Sequence, residues 1–205
     1  MSLNEDFKKG PAAFLAKKVI VVPPATDTAC GIPCTFKFTL EAGGANLVLL
    51  NPLLVDDEDH ISAYYLPWEA DKATTMNLGT AADFFFTSEM TNCRFSVLDE
   101  NPKAPRVAHV AGNTLPKDRN AWEKRDGFIP DDSKRVRRLS VSGSLGRKPK
   151  HLYAGDRHSS AFTFGVRQAD GDWKFFAQVT KGCMAAVNHV SEDLAILGYV
   201  DFATL

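Results

Sequence analysis

In the stretch FFFTSEMTNCRFSVLDENPKAPRVAHV (84–110), Cys93 follows Thr87 by six residues and His109 follows Cys93 by sixteen. A thiol within reach of an imidazole is a nucleophile with its base. A free thiol, with a pKa of about 8.5, is only slightly ionised at neutral pH, and an adjacent imidazolium lowers that value to make thiolate. A third group must then hold the ring in one tautomer. Thr87 can do so with its hydroxyl or its carbonyl. Backbone N–H groups around Asn92-Cys93 would complete the set as an oxyanion hole.

Each residue also has a plainer reading. Free cysteine is among the most buried residue types, and a histidine inside an apolar strand suits a core. The pairing weighs against this, because Val107 and His109 fall on one face of their strand, so the imidazole shares a face with core residues. A short connection rich in Asn, Pro and Lys (99–105) predicts that the cysteine and histidine runs are antiparallel neighbours. Neighbouring strands lie about 4.8 Å apart, within side-chain reach for a thiol and an imidazole.

The elements that must hold these residues are mostly strands. A short amphipathic helix interrupted by Gly10-Pro11 is expected within 6–18, and a second over 119–128, ended by Gly127 and Pro130,. Between and after them, VIVV (19–22), TFKFTL (35–40), ANLVLL (45–50), ISAYYLPW (61–68) and RVRRLSVSGS (135–144) read as strands,. The run 161–180 reads as a hairpin whose Asp170-Gly171 supplies positive φ at a tight turn, and AILGYVDF as the last strand,. Trp68 is expected to be a core anchor near the site. The fold class is α+β, a β-rich mixed sandwich with a few outer helices, and residues 1–205 are read as one domain.

The 205 residues, 44% hydrophobic and 24% charged, have the composition of an ordinary globular protein,. A net charge of −1 gives no global pull toward nucleic acid or an anionic membrane,. The longest apolar stretch, 45–55, is broken by Asn51 and Pro52 and falls short of the roughly 20 residues a spanning helix needs,. The N-terminus lacks the order of a secretory signal, so the protein is expected to work in a cytosol or to leave the cell by a route that needs no cleaved signal.

Four cysteines are too few and too irregular for a disulfide framework; Cys30 and Cys34 read as turn thiols and Cys183 as a core thiol,. The acids at 56–59 lack the glycine and spacing of a calcium loop, and His151 and His158 fall in loop-like sequence, so no metal or other cofactor is expected,. Residues 142–146 lack the lysine of a phosphate-binding loop. Eight Lys or Arg between 134 and 158 face one acid, Asp156. Such a run is either a solvated face or a docking surface for an acidic partner or RNA, with Arg135, Arg137 and Arg138 the candidate contacts.

The stretch 65–110 resembles Burkholderia lethal factor and, more distantly, the cytotoxic necrotizing factors and the bacterial chemoreceptor deamidases. What carries the resemblance is LPW (66–68), Leu78-Gly79, Asp83 before FFT (85–87), the cysteine six residues after that threonine, and a Val-x-His strand. It covers about a quarter of the chain. The family usually has glycine before the cysteine where this chain has Asn92, the non-glycine residue that best tolerates positive φ. The resemblance implies a deamidase-toxin-like fold with Cys93, His109 and Thr87 as the catalytic set. It implies a cysteine-dependent protein glutamine deamidase, in a bacterial cytoplasm or delivered into a host cytosol. A translation factor or small GTPase would be the target class. The residues alone equally allow proteolysis or transglutamination by the same pair, or a non-catalytic binding module.

Overall fold

The computed structural model describes residues 2–22, 31–40, 47–52, 58–90, 93–98, 100–112, 118–128, 136–140, 159–181 and 195–201. Ser2 caps helix α1 (Leu3–Lys9) by accepting the Glu5 N–H at 3.2 Å, and the acids Glu5 and Asp6 lie in the first turn, where the helix dipole favours them,. Gly10 ends α1, and Pro11 opens α2 (Pro11–Leu15), where the missing N–H and fixed φ of proline cost nothing,. The expected break at Gly10-Pro11 is present. The helical start lies earlier than Asp6, because the cap at Ser2 sets it.

The strands are β1 (Val19–Val21), β2 (Pro33–Leu40), β3 (Leu47–Pro52), β4 (Ile61–Leu66), β5 (Ala73–Asn77), β6 (Phe84–Thr87), β7 (Arg94–Leu98), β8 (Arg106–Val110), β9 (Val136–Ser140), β10 (Ser159–Arg167), β11 (Trp173–Lys181) and β12 (Ala195–Asp201), with helix α3 (Arg119–Arg125) between β8 and β9. Eight of them form a mixed sheet in the order β1-β3-β2-β4-β6-β10-β11-β12; the other four form an antiparallel sheet in the order β5-β8-β7-β9. The large sheet is parallel only at β1/β3 and β4/β6. The fold is therefore α+β, strand-rich, with two sheets and few helices, as expected.

Alternation along β6 shows how the layers stack. Phe85 joins one core, with Phe95, Val97 and Val107 of the small sheet and Phe175 of the large one. Phe86 points the other way, into a second core with Phe7, Phe14, Phe36 and Phe164, which α1 and α2 close. Burying one such ring contributes about 1.5–3 kcal/mol, so an unbroken aromatic run marks a strand covered on both faces. Two residues of the opening motifs acquire physical reasons here. A Cβ on Gly79 would meet the Tyr64 hydroxyl at 2.9 Å, so the backbone passes where no side chain fits. Asp83 pairs with Arg167 at 2.6 Å and also accepts the Arg167 N–H through its carbonyl, tying β6 to β10.

Two expectations need correction. Strand β5 went unread, because Ala-Thr-Thr-Met-Asn carries no aromatic and little alternation; pairing with β8 makes it a strand,. The 161–180 hairpin closes through a longer turn, in which Gln168 N–H donates to the Asp172 carbonyl at 2.7 Å. Gly171 alone adopts positive φ there, at 91°, and Asp170 does not.

Candidate functional site

Thr87 ends β6 and pairs in parallel register with Leu66 at the end of β4. Its side chain points toward the small sheet, on the face of Phe85, and is fully buried,. The Thr87 hydroxyl donates to the Leu66 carbonyl at 2.8 Å, and the same oxygen lies 2.8 Å from Nδ1 of His109. A hydroxyl has one proton, and a carbonyl can only accept. The contact with the ring therefore uses the lone pair of Oγ, so Nδ1 carries the hydrogen and Nε2 is left as the unprotonated, basic nitrogen. Of the two ways in which Thr87 could orient the ring, it is the hydroxyl that touches it.

His109 lies in the middle of the small sheet, on β8, opposite Phe95 of β7 and Thr74 of β5. It has no exposure, and among the described residues Nε2 has no hydrogen-bond partner. Burial disfavours the charged ring and pushes its pKa down to about 3,. At rest the imidazole is neutral, so a thiolate here must arise by proton transfer within the site rather than beside a standing imidazolium.

Cys93 immediately precedes β7 and is 5% exposed. It shares the inner core with Phe95, Val97 and Val107, so it leaves the sheet on the face that carries His109. Because Arg94 pairs with Val110, Cys93 stands diagonal to His109, not directly opposite it. Diagonal neighbours on one face of an antiparallel pair are about 7–8 Å apart at Cα and closer at the side chains. The structure thus brings Cys93, His109 and Thr87 into one layer between the sheets, from the residue before β7, from β8 and from β6. Asn92, and with it the expected oxyanion hole, lies outside the described residues, as do Cys30, Cys183 and the histidines at 151 and 158.

The outer face of β7 carries a buried charged cluster that anchors the strand to α3. Glu123, fully buried on α3, accepts from Ser96 Oγ at 2.5 Å and from Arg138 at 2.9 Å, and lies 3.4 Å from Arg94. Arg94 also donates to Asn120 at 2.6 Å, and burial lowers its pKa against the raising effect of Glu123. The residue after the thiol is therefore fastened from behind the sheet. Arg138 belongs to this cluster, with its side chain 32% exposed. Arg137 is half-buried on the opposite face of β9, level with Val97, and Arg135 lies outside the described residues.

Trp68 is not the expected core anchor: it is 46% exposed. Its backbone N–H donates to Ser88 Oγ at 2.9 Å, and Ser88 Oγ in turn contacts the Tyr65 hydroxyl at 2.9 Å. The backbone at Trp68 is thus fastened to the strand ends that hold Thr87. Thr74 and Glu123 were missed as site neighbours; β5 carried no strand signal, and a helix glutamate has no local feature that announces burial. A cleft of about 390 Å³ is lined by Asp6, Lys9, Gly10, Ala13, Phe14, Lys17 and Lys18, and it shares no residue with the Cys93 site. Among the described residues no three His, Cys, Asp or Glu side chains form a metal-binding group, and no helix is long and apolar enough to cross a membrane. No family model matches the chain, and no curated protein matches it in sequence.

Proposed function

We propose that the protein is a cysteine-dependent protein glutamine deamidase, with Cys93 as nucleophile, His109 as base and acid, and Thr87 as the residue that orients the ring. The observation that carries this reading is the Leu66 carbonyl–Thr87 hydroxyl–His109 Nδ1 chain, which leaves Nε2 basic on the face that bears the thiol. The resemblance of 65–110 to the deamidase toxins supports the choice of reaction.

In the first step the Cys93 proton passes to Nε2 and sulfur attacks the carbon of a glutamine carboxamide. The C–N bond breaks, ammonia leaves with the proton from Nε2, and a thioester remains. Water then attacks the thioester carbon, giving a proton to Nε2, and the C–S bond breaks to release glutamate. The thiol is regenerated with that proton, and no cofactor takes part in these steps. The product carries one more negative charge than the substrate, enough to disable a site that needs a neutral amide. A host-directed toxin or effector acting on a translation factor or small GTPase is the biology this reading favours. An exposed Trp68 beside the site suits a protein substrate.

The test is to incubate a eukaryotic cell extract with the wild type and with Cys93→Ser, measure ammonia, and map glutamine-to-glutamate changes by mass spectrometry. Serine keeps the size of the thiol, but its hydroxyl is not ionised by one imidazole. Ammonia release and a site-specific conversion without chain cleavage, both absent with Cys93→Ser, are expected. Cleaved or cross-linked target would reassign the pair to proteolysis or transglutamination, and equal conversion by both proteins would remove Cys93 from the mechanism.

A further inference from the structure

Once His109 has taken the thiol proton and sulfur has attacked, its ring is an imidazolium buried between the sheets, and its Nε2–H, no longer facing a thiolate, needs an acceptor until the proton is given up. Thr87 Oγ is committed to Nδ1. Phe95, opposite His109 on β7, has no acceptor to offer. On the other flank the β5/β8 register sets Thr74 directly opposite His109, so both side chains leave the small sheet on the same face,. Directly opposed residues have Cβ atoms about 4.5–5.5 Å apart. Thr74 is 8% exposed, and its Oγ, like Nε2 of His109, is a buried polar atom without a hydrogen-bond partner among the described residues. An unpartnered hydroxyl inside a protein is destabilising, and valine would fill the same space without it. Two such atoms, on residues paired across one ladder, point to a shared use.

We infer that Thr74 is a positioning residue of this site, whose Oγ accepts the Nε2–H of protonated His109 once the Cys93 sulfur has attacked. The inference rests on the reading of Cys93 and His109 as nucleophile and base, and it adds the group that stabilises the charged state of that pair. The step itself is a proton transfer: the S–H bond of Cys93 breaks, an N–H bond forms at Nε2, and no other bond changes. The groups facing the ring are Thr74 from β5, Phe95 and Cys93 from the start of β7, and Thr87 from β6. Among these Cys93 is the only other one that titrates.

The experiment needs no identified target. Cys93 alkylation by iodoacetamide is followed by intact mass and peptide mapping across pH in the wild type, Thr74→Val and Thr74→Ser, alongside urea unfolding of each. The wild type is expected to react faster at pH 6.5 than a solvent thiol, because Nε2 takes the thiol proton as sulfur attacks. Thr74→Val should slow alkylation about tenfold at pH 6.5, the effect of one lost hydrogen bond to a charged group, while its urea midpoint rises. Thr74→Ser, which keeps the hydroxyl, should keep the wild-type profile. An unchanged profile in Thr74→Val overturns the inference, as does a Thr74→Ser profile that matches Thr74→Val, because the methyl group would then be the active part. Lost reactivity together with a lowered midpoint in Thr74→Val would mark packing damage and also overturn it. If Thr74→Val does not fold, Thr74→Ala takes its place against Thr74→Ser with the same criteria. A wild-type Cys93 that alkylates like a solvent thiol at every pH would instead sink the nucleophile reading, and this inference with it.

Discussion

The buried imidazole makes the stability of this protein depend on pH in a direction that its surroundings define. In the unfolded chain His109 titrates near its ordinary value of 6.5; in the folded protein burial holds it at about 3. Between those values the unfolded state binds a proton that the folded state does not, so acid favours unfolding. The slope is about 1.4 kcal/mol per pH unit once the unfolded histidine is protonated. From those two pKa values, stability falls by about 2 kcal/mol between pH 7 and pH 5, and by about 3 kcal/mol by pH 4,. The stabilisation tied to a neutral His109 is thus present above the unfolded pKa and lost as pH falls toward the folded one. Urea unfolding of the wild type and His109→Asn at pH 7, 5 and 4 isolates this contribution, because carboxylates titrate in both proteins and cancel in the difference. The wild type should lose about 2 kcal/mol more than the variant on going to pH 5. Parallel losses would refute a buried neutral ring. A wild type that gains on the variant toward pH 5 would mean a raised pKa, with His109 already an imidazolium paired to a Cys93 thiolate in the resting protein.

Three further outcomes follow from the site. Thr87→Ala removes the hydroxyl that joins Leu66 to His109 and should slow Cys93-dependent turnover by roughly two orders of magnitude, at the low end of what a positioned base contributes; Thr87→Ser should keep most of the rate, and equal rates in the two variants would take the hydroxyl out of the mechanism. Glu123→Ala leaves Arg94 and Arg138 without their buried counter-charge and should cost about 3–5 kcal/mol in chemical denaturation, so a loss below about 1 kcal/mol would show that the cluster does not anchor β7. Trp68→Ala removes an exposed indole and should change stability by no more than about 0.5 kcal/mol. It should leave alkylation of Cys93 by iodoacetamide unchanged and weaken action on a protein target; an unaltered KM on that target would mean the indole touches no substrate.

What the sequence alone determined is the part written in local pattern. An unbroken aromatic run over 84–87 and the β-branched run over 106–110 marked strands, and the parity of Val107 and His109 set the imidazole on a core face before any partner was known. Glycine and proline placed the breaks at Gly10 and Gly127, since backbone torsions answer to the residues that adopt them. Tertiary structure decided what depends on residues distant in the chain. Whether Thr87 used its hydroxyl or its carbonyl turned on Leu66, which parallel pairing of β4 and β6 sets beside it. Thr74 stands opposite His109 only because β8 supplied the ladder that its own weak strand sequence does not announce. Arg138 is paired with a buried glutamate on α3, and Trp68, expected in the core, is left in solvent. Side-chain burial is set by which surfaces meet across the layers, and a strand's sequence specifies its own two faces without specifying what will cover them.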